Sequence, residues 1–181
     1  ENPLTASLTA SPTSGTAPLT VTFSVSMSGG TGSGYEWNVY FGDGSQSGPV
    51  TSSITHTYSS AGTYMAFAWA EDSSGNQVET NQVTISVASP SGTITFTESG
   101  LPLYNVINSE PSTQVGWSVV INGTTHSAAA GSDITVTVTG SVSFTVNNVT
   151  VQMNTAKVTY YPSPSSGTAS IGQTVSISFA T

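Results

Sequence analysis

The 181-residue chain contains no cysteine and no arginine, and a single lysine, Lys157, stands against nine acidic residues. Without cysteine there is no disulfide, no thiol nucleophile and no thiolate metal ligand, so stability has to come from packing and hydrogen bonds. Without clustered Lys and Arg, recognition of nucleic-acid phosphates is excluded, as is a polybasic attachment to anionic lipid. No run of about 18 apolar residues occurs, so the sequence offers no transmembrane segment. The opening Glu1-Asn2-Pro3 does not resemble a secretory signal. Charge of either sign is scarce, at 6% of residues with a net charge of −8. With few titrating groups and almost no base to hold carboxylates ionised, stability is expected to change little between about pH 7 and pH 3. Such a composition suits acidic surroundings, and equally a Ser/Thr-rich surface protein of any habitat.

Ser and Thr fill the place of the missing charges, beside 18 Gly and 9 Pro. They alternate with apolar residues in short bursts at 4–8, 19–25, 64–70 and 83–87, then at 93–97, 116–121, 134–138, 142–146, 156–160 and 174–179. Period-two alternation of this kind makes half-buried strands, and no window keeps a helical period. Turn clusters such as 11–15, 28–34 and 72–76 separate the bursts. The fold class is all-β, two tandem β-sandwich domains of immunoglobulin-like type, residues 1–88 and 93–181, joined by a linker at 89–92. Residues 102–114 are expected to form a long irregular connection.

Motifs in the first half follow a definite order: Ala10-Ser11-Pro12, Gly15 to Phe23, Tyr35-Glu36-Trp37, Phe41-Gly42-Asp43-Gly44-Ser45, Thr55-His56-Thr57-Tyr58, Ala61-Gly62-Thr63-Tyr64 and Glu71 to Asn76. This succession resembles the PKD (polycystic kidney disease) domain of extracellular proteins over about residues 4–88, which implies an immunoglobulin-like sandwich. Val39-Tyr40 is a departure, since it separates Trp37-Asn38 from the Phe41–Gly44 turn. Trp37 and Tyr64 read as core aromatics, and Gly42, Gly44 and Gly62 as residues of tight turns. Asp43 reads as a turn residue rather than a calcium ligand, because the nearby acids form no dense oxygen series. His56 reads as framework. In the second half, residues 94–102, 117–125 and 161–167 resemble the β-rich repeat of archaeal thermopsin-type secreted and surface proteins over about 92–180. Such repeats accompany a protease domain without being its catalytic part, so no active site transfers.

No nucleophile elbow, zinc-binding helix motif, phosphate loop or dinucleotide fingerprint is present, so no catalytic, metal or cofactor residues are expected and the chain reads as non-enzymatic. Asn122-Gly123-Thr124 and Asn148-Val149-Thr150 are glycosylation sequons; Asn122-Gly123 is also a hairpin-turn signal, and either reading exposes the side chain. Lys157 reads as a solvated lysine. Leu4, Ala6, Leu8 and Ala10 alternate with hydroxyl residues in a strand that could complete its own domain or join to a neighbouring subunit. Together these features suggest a secreted, extracellular or cell-surface structural subunit of an archaeal filament, pilus or coat, with adhesion as a further expected role. Self-association, other surface glycoproteins as partners and no nucleic acid follow from that reading. An accessory region of a secreted hydrolase and a glycan-binding module are the alternatives, the latter marked by a planar row of exposed aromatics.

Overall fold

The computed structural model describes residues 2–107 and 109–181; Glu1 of the opening tripeptide and Asn108 within 102–114 lie outside the described residues. The chain divides into two compact units, Glu1–Pro90 and Ser91–Thr181. Each is an all-β sandwich with its own core.

The first unit contains β1 (Thr5–Ser11), β2 (Ser14–Thr16), β3 (Leu19–Ser28), β4 (Glu36–Tyr40), β5 (Gln46–Val50), β6 (Ile54–Tyr58), β7 (Gly62–Glu71), β8 (Gln77–Glu79) and β9 (Val83–Ala88). One sheet runs β1-β3-β6 and the other β2-β9-β7-β4-β5, with β8 paired to the end of β7. Alternation decides which side chains meet. Val21 and Phe23 of β3, Trp37 and Val39 of β4, Tyr58 of β6 and Ile85 of β9 are buried in one cluster. Every outward position of β1, β3 and β6 is Ser or Thr. Pairing lines these hydroxyls up across strands, with the side-chain oxygens of Thr5 and Ser28, and of Thr20 and Thr57, 2.8 Å apart.

The Val39-Tyr40 departure appears as a register shift between Asn38 and Tyr40 where β4 pairs with β5. Val39 points into the core and Tyr40 out of it. Gly42 follows with φ 84°, and a Cβ there would lie 2.6 Å from the Met65 carbonyl oxygen, so only glycine fits. Gly62 differs from the expectation of a tight turn. It opens β7, paired with Val87, and a Cβ would sit 3.1 Å from the ring of Tyr64, so its bareness makes room for an aromatic.

The second unit contains β10 (Gly92–Ser99), β11 (Tyr104–Ile107), β12 (Glu110–Gln114), β13 (Gly116–Ile121), β14 (Thr124–Ala129), β15 (Ile134–Val138), β16 (Val142–Val146), β17 (Val149–Met153), β18 (Ala156–Ser163), β19 (Ser166–Ala169) and β20 (Thr174–Ala180). Its sheets run β12-β11-β17-β18-β20-β10-β15 and β14-β13-β16-β19. Trp117 is the largest fully buried side chain; its Nε1–H donates to the Ser132 carbonyl at 3.0 Å, and its ring meets Phe179 edge-on at 6.4 Å. Residues 102–114 are not an irregular connection but carry an antiparallel hairpin, β11 with β12, at a sheet edge. Alternation gives no sign of β12 because all five of its residues are exposed, and Pro111 is tolerated there because the strand is an edge.

Candidate functional site

Strand β7 turns the usual size rule inside out. Ala66, Ala68 and Ala70 face the core with no exposure, so Met65, Phe67 and Trp69 face outward. Small residues fit on this side because Phe23, Trp37 and Tyr58 already fill the same core. Trp69 is 43% exposed. Pairing places Asn38 and Glu79 on either side of it, Glu36, Glu71 and Gln77 in the next row, and Tyr40 beside Phe67 in the row behind. The Tyr40 and Phe67 rings stack at 5.0 Å, 7° from parallel. A hollow of about 360 Å³ opens here, lined by Trp69, Glu36, Glu71, Gln77, Asn38 and Pro49 among others. Its polar groups are held in place: Gln77 Nε2 donates to Glu71 at 2.6 Å, Asn38 Nδ2 donates to Gln46 at 3.2 Å, and Asn38 Oδ1 accepts from the Gly48 N–H at 3.0 Å.

Two other acids hold turns. Asp43 accepts the N–H of Ser45 at 3.0 Å and its hydroxyl at 2.6 Å through Oδ1, while Oδ2 meets His56 Nε2 at 2.7 Å. The His56 ring stacks on Phe41 at 4.0 Å and meets Tyr58 edge-on. Loss of solvent is the largest single influence on the Asp43 carboxyl and would raise it, yet the Ser45 and His56 contacts outweigh it and leave it below the usual range. Asp72 is buried at 3% exposure and accepts from the Asn76 amide and from the N–H groups of Thr31, Ser74 and Asn76. The Asn76 amide contributes most to holding this carboxyl down at about 2; burial opposes it, and the three backbone N–H groups reinforce it. Asp72 thereby ties the β3–β4 loop to the β7–β8 turn.

Among the described residues, no group of three or more His, Asp or Glu is placed to hold a metal ion. Asn122 and Gly123 form the two-residue turn between β13 and β14, both with positive φ, and Asn122 is exposed. Asn148 is exposed just before β17. Lys157 is exposed opposite Gln152, whose amide is taken up by the carbonyls of Asn154 and Ala156. Strand β1 pairs with β3 of its own unit from Thr5 to Ser11. Leu8 is buried, while Leu4, Ala6 and Ala10 are half-buried. On the other edge of β1, Asn81 accepts the Leu8 N–H at 2.9 Å and donates to the Leu8 carbonyl at 3.1 Å.

The outward face of Trp69, the His56–Asp43 pair and the Asp72 cluster are absent from the sequence reading. The Met-Ala-Phe-Ala-Trp-Ala string was the available signal for the first, since alanine at every second position of a strand marks one face as tight. The other two join residues 13 and 41 apart, which no local spacing announces.

Searched by sequence, the curated proteins give no match. Solved structures similar in fold include the major pilin subunit of Bacillus cereus, at 10% identity and a TM-score of 0.36, covering 98% of this chain and 70% of that one. A bacterial adhesin from Mobiluncus mulieris is similar at 10% identity and a TM-score of 0.47, over 100% of both chains. Three N-terminal domains of the outer capsid protein of bacteriophage RB49 are similar at 11% identity and a TM-score of 0.39, over 95% of this chain and 59% of that one. The family model of the PKD domain matches residues 5–87, which takes in every strand of the first unit.

Proposed function

We propose that the chain is a non-enzymatic, extracellular building block of an archaeal cell-surface filament, pilus or coat, with an adhesive role. The observation that carries this reading is the PKD match over the whole strand set of the first unit, combined with an outer sheet face made only of hydroxyls. A face without charge gives no long-range steering and suits static packing against copies of itself and other surface glycoproteins. The polar groups that converge in the first unit, around Asp43 and Asp72, are spent on turns and loops. The resemblance of the second half to repeats of archaeal thermopsin-type proteins supports the archaeal assignment.

Electron microscopy of the native material tests the proposal. Filaments or a lattice are expected, and monodisperse monomers would overturn it. Deleting residues 1–10 is expected to unfold the first unit, because it removes buried Leu8 and nearly the whole ladder between β1 and β3. Burying one such leucine is worth about 1.5–3 kcal/mol. A still-folded monomer that no longer polymerises would instead show that β1 is donated to a neighbour. Native protein is expected to carry glycan mass on Asn122 and Asn148; peptide mass spectrometry finding both bare would remove modification from the proposal.

A further inference from the structure

We propose that the hollow around Trp69 binds a neutral glycan, a pyranose unit stacking on the indole while its hydroxyls reach Glu36, Glu71 and Gln77. The site supplies the adhesive half of the proposed surface role and rests on that reading.

The ligand class follows from what lines the hollow. A pyranose presents a face of C–H groups and a rim of hydroxyls, each of which both donates and accepts. The 43% exposed indole of Trp69 matches the face. Glu36 and Glu71 supply acceptors, and Gln77, which spends one N–H on Glu71, has a second N–H and a carbonyl. Glu36 and Glu71 stand directly opposite each other across β4 and β7, where like charges repel. Hydroxyl donors held between them offset that repulsion. The first unit has no Lys or Arg, so an anionic ligand finds no counter-charge beside Glu36, Glu71 and Glu79. A cation would suit the acids but not the amide N–H groups of the same wall. The sheet face is open and not a closed cleft, which fits a residue within a polymer better than a free small molecule.

The test is affinity electrophoresis of the full chain through gels containing mannan, dextran or a soluble β-glucan, followed by tryptophan fluorescence titration with whichever retards it. Retardation by at least one is expected, with affinity falling about tenfold or more for Trp69→Ala and by a smaller factor for Glu71→Gln. Both side chains face outward, so melting curves should match the parent and separate lost binding from lost fold. Failure of all three polysaccharides, or binding that Trp69→Ala leaves intact, would overturn the site. Trp69-dependent, salt-sensitive binding of polylysine with none of a polysaccharide would also overturn it, in favour of a cationic partner. Electron microscopy of the Trp69→Ala protein keeps the two readings apart: intact assemblies without glycan binding leave the building-block role standing and remove only the adhesive site.

Discussion

Replacing Trp117 by alanine is expected to lower the stability of the second unit by about 3–5 kcal/mol, the usual cost of emptying a buried aromatic site. The ring is 2% exposed, and its removal also strips the Ser132 carbonyl of its donor. In a domain of this size each kcal/mol shifts the melting midpoint by roughly 4–8 °C. The second unit should therefore melt well below its normal midpoint. Each unit has a separate core cluster, one built on Trp117 and the other on Phe23, Trp37 and Tyr58, so the first unit's transition should stay in place. Calorimetry of the full chain reads both at once. A single transition that moves as a whole would show that the two units unfold as one.

Acidification is expected to weaken the first unit selectively. Asp72 is held at about 2 in the folded protein, below its ordinary value of about 3.9. Its contribution is therefore fully present above about pH 4 and is lost as the pH falls through about 2. Asp43 is shifted in the same direction and adds to the same slope. Melting temperature against pH should be flat from neutrality to about pH 4 and then fall. Asp72→Asn should start lower at pH 7, because an amide replaces an acceptor that four donors share, and should lose most of the acid slope, the remainder belonging to Asp43. An unchanged slope in that variant would show that the Asp72 cluster does not govern acid stability. The Asp72 cluster argues against the expectation of near-constant stability down to pH 3. That expectation rested on the lack of Lys and Arg, but neutral N–H groups depress a carboxyl without any base nearby.

Strands such as β3 and β15 are legible in the sequence because Thr and Ser alternate with Val, Ile and Phe, and one parity has to go inside. In β7 either parity could be buried. Pairing decides it: Ala68 sits opposite Val39 and Ala66 opposite Val83, which carries Phe67 and Trp69 to the outside. Strand β12 is invisible for a different reason, having no buried face to leave a pattern. Asp72 looks like an ordinary turn acid in Asp-Ser-Ser-Gly-Asn until the fold brings Thr31 to it. The sequons are the opposite case, since the Asn-Gly dipeptide of Asn122 writes its own turn.

The two bonds from Asn81 to Leu8 bear on how the protein behaves in a crowd. An open strand edge offers its N–H and C=O groups to any chain that drifts alongside, and copies fixed at high local density would fuse edge to edge into disordered deposits. At the middle of β1 that invitation is already answered, by a carboxamide that presents one acceptor and one donor just as a passing strand would. A single side chain thus acts as a counterfeit strand one residue long. In the proposed assembly, copies packed side by side would find no free backbone pair at this point of β1.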